Sequence, residues 1–393
     1  MKIKTDIKNL YMPEREILDL RSRASGVLDS LWGSKDPEDA WVQLPMKYTE
    51  EDIEYLLNAA DYIKGWAKLM IVIGNPASCA GPKAAIGALP KYEYGIEVQF
   101  AGNDFNPDRY AQLIDKIKAN ETVLCLLSDY EDTPETAAAF AILREAFREK
   151  LDNKEAVSRR IIAVTDKDSR LWEEAEREGY LTVKSPQGLN GCFNVLAIDG
   201  LFPMAAAGLD VRAVLEGAKE AALSPLWDAG GADYAIARHL MARKGYVMEW
   251  IVATDPAMEA AARWLKRLYE ECGLAAESKD DNMAAGNSSL LCGIRSWPAD
   301  VYRNRQGSAD SFETILRIGE SAGGMIVPNG ALQGRDLAQL RKDSLKAFVQ
   351  ERNKAESPLA EVAMEKLDGA AFGQMVYFFE LSSALTKMLG ESC

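Results

Sequence analysis

A single histidine, His239, serves the whole of this 393-residue chain. That scarcity excludes multi-histidine metal sites and leaves any imidazole-based acid–base mechanism to one side chain. His239 falls in a helical stretch, 232–242, beside Arg238, where a packing or surface role is expected. The six cysteines, at 79, 125, 192, 272, 292 and 393, form no Cys-x-x-Cys pair, and several sit in apolar runs. They read as buried thiols, so no metal site and no redox chemistry are expected. No stretch reaches the ~18–20 uncharged apolar residues that a membrane helix requires. The first residues, Met1-Lys2-Ile3-Lys4-Thr5-Asp6, lack the apolar segment of a secretion signal, and a cytoplasmic location is expected. Positive charge is also short: 46 Lys and Arg stand against 60 Asp and Glu, a net charge of −14. Nucleic acid and anionic membranes both need a basic footprint and are excluded as partners.

Short apolar runs alternate with longer amphipathic ones. Residues 68–74, 96–102, 122–128 and 159–166 are apolar on both faces, as parallel strands covered on both sides must be. Helical patterns at 134–151 and 170–178 lie among them. Strand–helix alternation of this kind implies a parallel sheet with helices on both faces. A second series follows: a helix at 234–243, a strand at 246–254, a helix at 256–271, and shorter runs at 289–294 and 324–328. Pro225 and the pair Gly230-Gly231 mark a boundary around 220–231. The spacing predicts an α/β protein with a larger domain over 46–220 and a smaller one over 221–334. Helical arms are expected at 1–45 and 335–393.

Several segments, in order, resemble the bacterial phosphoglucose isomerase family. They are Trp41-Val42-Gln43-Leu44-Pro45, Ile71-Val72-Ile73-Gly74 with Gly81, Ala84-Ala85-Ile86 and Ala88-Leu89, and Phe100-Ala101-Gly102-Asn103. Val164-Thr165-Asp166, Glu178-Gly179-Tyr180, Tyr234-Ala235 with Arg238, and Tyr377-Phe378-Phe379-Glu380 continue the series. The resemblance implies two SIS-type (sugar isomerase) doubly wound parallel-sheet domains, each a three-layer αβα unit. It implies the aldose–ketose interconversion of glucose 6-phosphate and fructose 6-phosphate, with a sugar or phosphosugar as the small-molecule partner. No cofactor and no metal are implied. The arms suit a homodimer, since such arms wrap partner subunits in the family.

The same resemblance implies site residues, and the chain departs from several of them. Glu277, in Glu277-Ser278-Lys279-Asp280, and Glu271, aligned through Trp264 without gaps, both match the glutamate that carries a proton between C1 and C2. Gly74, Ser78, Ser128, Thr133 and Gly191 match substrate-binding positions. Where the family has a Ser-Lys-Ser-Gly-Thr-Thr-Thr-Glu phosphate loop, this chain has Ser128-Asp129-Tyr130-Glu131-Asp132-Thr133-Pro134-Glu135. Thr133 suits an N-cap with Pro134 as first helical residue, and Glu131 and Asp132 then compete with a phosphate for the helix start. The family's Gly-Ile-Gly-Gly-Ser turn is Gly74-Asn75-Pro76-Ala77-Ser78, and its Gly-Gly-Arg is Asn190-Gly191-Cys192. The ring-opening histidine has no counterpart in 289–306. The family's terminal lysine segment is not matched before Cys393, and Lys387 belongs to the preceding helix. General acid–base groups contribute about 10²–10⁴ each in rate, so isomerase activity is expected to be weak or redirected. The alternative is a non-catalytic SIS protein that binds a sugar or regulates a partner enzyme.

Overall fold

A computed structural model describes residues 3–391, apart from 92–93, 128–132, 152, 187–188, 190, 225–230, 275–289, 297–309 and 320–323. Among the described residues, ten strands form two five-stranded sheets. In chain order they are β1 Ile3–Asp6, β2 Leu69–Ile73, β3 Glu97–Ala101, β4 Thr122–Leu127, β5 Ile161–Thr165, β6 Leu181–Lys184, β7 Met248–Ala253, β8 Leu291–Ser296, β9 Ser311–Ile318 and β10 Leu359–Met364.

The first sheet has the order β3-β2-β4-β5-β6 and is parallel throughout. Its central strands are apolar on both faces because both faces are covered. Leu69, Ile71, Leu124, Leu126, Ile161 and Ala163 face the helices Pro107–Ala119, Pro134–Lys150 and Arg170–Glu178. The alternate residues Met70, Val72, Val123, Cys125, Ile162 and Val164 join the central core, together with the helices Pro76–Ala88 and Ile198–Ala206. The period of two thus distributes one apolar run between two cores.

The helices begin where side chains satisfy their free N–H groups. Asn75 caps Pro76–Ala88, and Thr133 caps Pro134–Lys150 with Thr136 closing the box, each followed by proline at the first helical position. The expected Thr133 cap is therefore present.

The second sheet has the order β1-β10-β9-β7-β8. β10, β9, β7 and β8 run parallel, whereas β1 lies antiparallel along β10. Here the chain departs from expectation. The terminal segments are not helical arms alone: Ile3–Asp6 and Leu359–Met364 are strands of this sheet. Residues 324–328 make no strand, only an isolated bridge from Ile326 to Asp336. The central strand of this region is β9, whose Glu313 and Arg317 interrupt the apolar signal.

The inner face of the second sheet packs on the helices Gly231–Arg243, Glu259–Tyr269 and Gly369–Glu391, within the same core that backs the first sheet. That last, C-terminal helix also crosses the helix Val211–Leu223 at very close range. Gly217 lies against the Ala370 carbonyl and Gly373 against that of Val214, with no room for a Cβ at either position. Among the described residues, no helix is long and apolar enough to cross a membrane.

Candidate functional site

The Glu259–Tyr269 helix runs on through a wider π-type turn, Glu270–Leu274. Trp264 and Glu271, two turns apart, hold one peptide segment between them. The Cys192 N–H donates to Glu271 Oε2 at 2.6 Å, and Trp264 Nε1–H donates to the Cys192 carbonyl at 3.3 Å. Gly191 has φ +66°, a left-handed conformation that favours glycine, and a Cβ there would stand 2.5 Å from Glu271 Oε2. Gly191 therefore lets the carboxylate reach the backbone. The Cys192 thiol points away, toward the Ala77 carbonyl at 3.7 Å. Burial, followed by the nearby Glu271 charge, raises its pKa strongly, so it stays a neutral thiol.

This contact draws in the turn after β2. Gly74 is buried, and its carbonyl faces the Cys79 thiol at 3.5 Å. Ser78 is buried in the first helical turn. Asn75 Oδ1 accepts from the Ala77 N–H at 2.9 Å and the Ser78 N–H at 3.0 Å. Two donors that a bare glycine turn would offer to a ligand are thus already satisfied by the chain itself.

Glu271 stands at the edge of a cleft of about 720 Å³. Its described walls include Trp41, Phe193, Cys272, Lys387 and the turn carrying Asp36, Glu38 and Asp39. The rings of Trp41 and Phe193 lie 4.7 Å apart. Asp36 Oδ1 caps the turn by accepting from the Glu38 N–H at 3.0 Å, and Asp39 Oδ2 accepts from the Ser34 hydroxyl at 2.6 Å. Lys387 projects from the C-terminal helix. Beside it the Cys272 thiol is pushed up to about 12, chiefly by burial. A carboxylate, an ammonium and an aromatic wall around one cleft suit a polyhydroxylated ligand. They can also move a proton at a carbon next to a carbonyl while a cation faces the resulting negative charge.

Of the residues singled out from the sequence, the structure brings Glu271, Gly191, Gly74 and Ser78 into one neighbourhood. Thr133 caps the helix that follows the adjacent strand β4. Glu277 and Ser128 fall outside the described residues, as do 129–132. His239 is buried on the Gly231–Arg243 helix and does not line the cleft. Burial, and then Arg243 and Arg23, depress its pKa to about 4. Lys387 and the Asp36–Asp39 turn were not selected from the sequence. The signal for Lys387 is a lone charge in the apolar run Leu385–Leu389.

The arrangement of two parallel-sheet α/β domains is that of the sugar isomerases. A hypothetical protein from Thermus thermophilus superposes with a TM-score of 0.85 at 22% identity, over 99% of this chain and 94% of that one. A glucose-6-phosphate isomerase from Chlamydia trachomatis superposes with a TM-score of 0.73 at 17% identity, over 93% and 74%. The family model for phosphoglucose isomerase matches residues 59–219. A glucose-6-phosphate isomerase of Streptococcus pneumoniae is 28% identical over 375 residues, covering 89% of this chain and 81% of that protein. The corresponding protein of Streptococcus equi subsp. zooepidemicus is 29% identical over the same span. Residues 59–219 thus match the phosphoglucose isomerase family, and the chain is similar to glucose-6-phosphate isomerases over most of its length.

Proposed function

We propose that the Glu271 cleft is the site of an aldose–ketose isomerase of the glucose-6-phosphate isomerase type, working on a phosphosugar with a reduced set of groups. The observation that carries this reading is the Glu271 carboxylate itself. It is anchored on the Cys192 amide at the cleft edge, within the same walls as the Lys387 ammonium. In this reading one Glu271 oxygen stays on the backbone while the carboxylate transfers a proton between C1 and C2. Lys387 faces the enediolate oxygens. Glu277 remains the alternative proton carrier. A soluble, cytoplasmic homodimer belongs to the same reading.

The second reading is a non-catalytic sugar-binding or regulatory protein. It is favoured by Cys192, a neutral buried thiol where the family resemblance implies a cation.

A coupled assay on fructose 6-phosphate separates the two. The first reading expects slow turnover that falls by about 10²-fold or more in Glu271→Gln, with substrate binding retained. Turnover unchanged by that substitution would assign the proton transfer elsewhere. Binding without turnover in the native chain would establish the second reading.

A further inference from the structure

Four carboxylic side chains are buried in the described structure: Asp199, Glu249, Glu313 and Glu380. Three of them have partners. Asp199 accepts from the Ser185 hydroxyl. Glu249 is held by Arg238 Nε at 2.7 Å, the Tyr234 hydroxyl at 2.9 Å and the Thr314 hydroxyl at 2.6 Å. Glu313 is held by Arg295 and Arg352. Glu380 is the exception. It is 0% exposed on the C-terminal helix, and neither carboxyl oxygen has a hydrogen-bond partner among the described residues. An ionised carboxylate in such a place would cost several kcal/mol, so the group is a neutral acid. Burial alone raises its pKa well above the ordinary carboxyl range.

Its position is as informative as its state. Glu380, Ala384 and Lys387 follow at i, i+4 and i+7, one face of the helix, and the last two line the Glu271 cleft. Cys272, another wall of that cleft, stands within electrostatic range of Glu380. The titratable neighbours that feel Glu380 are this thiol, from the facing turn, and the Tyr377 phenol of its own helix. Both are neutral at neutral pH, and the Tyr377 hydroxyl donates to the Val42 carbonyl. Arg238, on the packed Gly231–Arg243 helix, directs its Nε to Glu249 instead. Beneath the cleft floor there is therefore a protonated acid with no structural bond to break on losing its proton. Among the described residues, the cleft lining offers no histidine for that task.

We infer that Glu380 is the proton store for sugar ring opening in this cleft, donating through a water admitted at the Cys272–Ala384 floor. The inference rests on the isomerase reading of the site. In the step, the Glu380 O–H bond breaks and its proton passes through that water to the ring oxygen of the hexose. The bond from C1 to the ring oxygen breaks, and its electron pair stays on that oxygen. The C1 hydroxyl gives its proton to cleft water as the C1 carbonyl forms, and solvent then returns a proton to Glu380. Glu271, anchored on the Cys192 amide, is the group that takes the carbon-bound proton. Two carboxyl groups in different surroundings, one buried without a hydrogen-bond partner among the described residues and one anchored at the cleft edge, thus divide the acid and base roles.

Ring opening is measured apart from isomerisation, as the anomer exchange of glucose 6-phosphate followed by NMR. The native chain is expected to accelerate exchange over buffer, with an alkaline limb as the store empties. Glu380→Gln keeps the shape of the neutral acid but has no acidic proton. It is expected to slow exchange by about 10²-fold and to abolish that limb. Should the glutamine variant fail to fold, Glu380→Met carries the same test, because it removes a buried polar group without partners. Exchange as fast in either folded variant as in the native chain overturns the inference, and so does a native rate equal to buffer. Failure of the isomerase reading shows differently, as anomer exchange that depends on Glu380 with no turnover of fructose 6-phosphate.

Discussion

Both sheets are built on parallel strands, with β1 alone antiparallel, but they are held in opposite ways. The central strands of the first sheet, β2, β4 and β5, carry no charged residue and bury apolar side chains on both faces. Two of the three inner strands of the second sheet bury a glutamate, Glu249 on β7 and Glu313 on β9. Glu249 faces inward to Arg238, whose guanidinium also lies 3.6 Å from the centre of the Tyr269 ring. Glu313 faces outward. Arg352 clamps it with Nε at 2.7 Å and Nη2 at 2.9 Å, and Arg295 Nη1 adds a contact at 2.5 Å. Arg352 lies on the helix Leu337–Lys354, whose apolar contact with the sheet is a small cluster around Phe348. Apolar burial is tolerant of direction, whereas a bidentate ion pair fixes one register. The contrast implies that the first domain draws its stability from its area of contact. The outer layer of the second depends on a few directional bonds.

Substitutions that treat the two halves alike test this contrast. The largest expected effect is Glu313→Ala. It strands two buried guanidinium groups, for a loss of about 3–5 kcal/mol in chemical denaturation. Protease cutting is expected to begin in the helix Leu337–Lys354. A loss below about 1 kcal/mol would erase the distinction between the halves. Next is Leu126→Ala in the first sheet, a cavity in a fully buried strand, with an expected loss of about 3 kcal/mol. Here the loss should appear in unfolding of the whole first domain, not in release of one helix.

The smallest effect is one of pH. His239 is buried in the second half, its Nε2 has no hydrogen-bond partner among the described residues, and burial lowers its pKa to about 4. The unfolded chain binds its proton near pH ~6.5, above the folded value. The stability linked to His239 is therefore complete above about pH 6.5 and is lost as pH falls toward 4. Between about pH 7 and pH 5 the loss should be about 2 kcal/mol. His239→Gln should flatten that acid limb in thermal melts. An unchanged limb would assign the acid sensitivity to other groups.

The legibility of the sequence follows the same division. Four of the five strands of the first sheet, β2 to β5, are legible, because runs such as Leu69–Ile73 are apolar without interruption and end at capping residues such as Asn75 and Thr133, whereas the short edge strand β6 is not. β9 was not, because Glu313 and Arg317 look like surface residues until Arg352, thirty-nine residues away from Glu313, is folded against it. β1 and β10 were read as parts of helical arms because an edge strand of four residues, or one pairing across the length of the chain, leaves no local periodicity to detect. In the site, Gly191 and Glu271 were legible only through family resemblance. That Glu271 reaches the Cys192 amide, 79 positions away, is a matter of how the Glu259–Tyr269 helix lies on the Gly191–Asn194 turn.

By itself, the sequence determined the α/β class, the family resemblance and the positions of several helices. Those properties are local: they depend on periodicity, caps and residue types along short windows. Tertiary structure alone decided which charges are buried with partners, that Lys387 shares a cleft with Glu271, and that Glu380 is buried without a hydrogen-bond partner among the described residues. Each of these depends on desolvation by atoms distant in the chain, a quantity that no window of sequence contains.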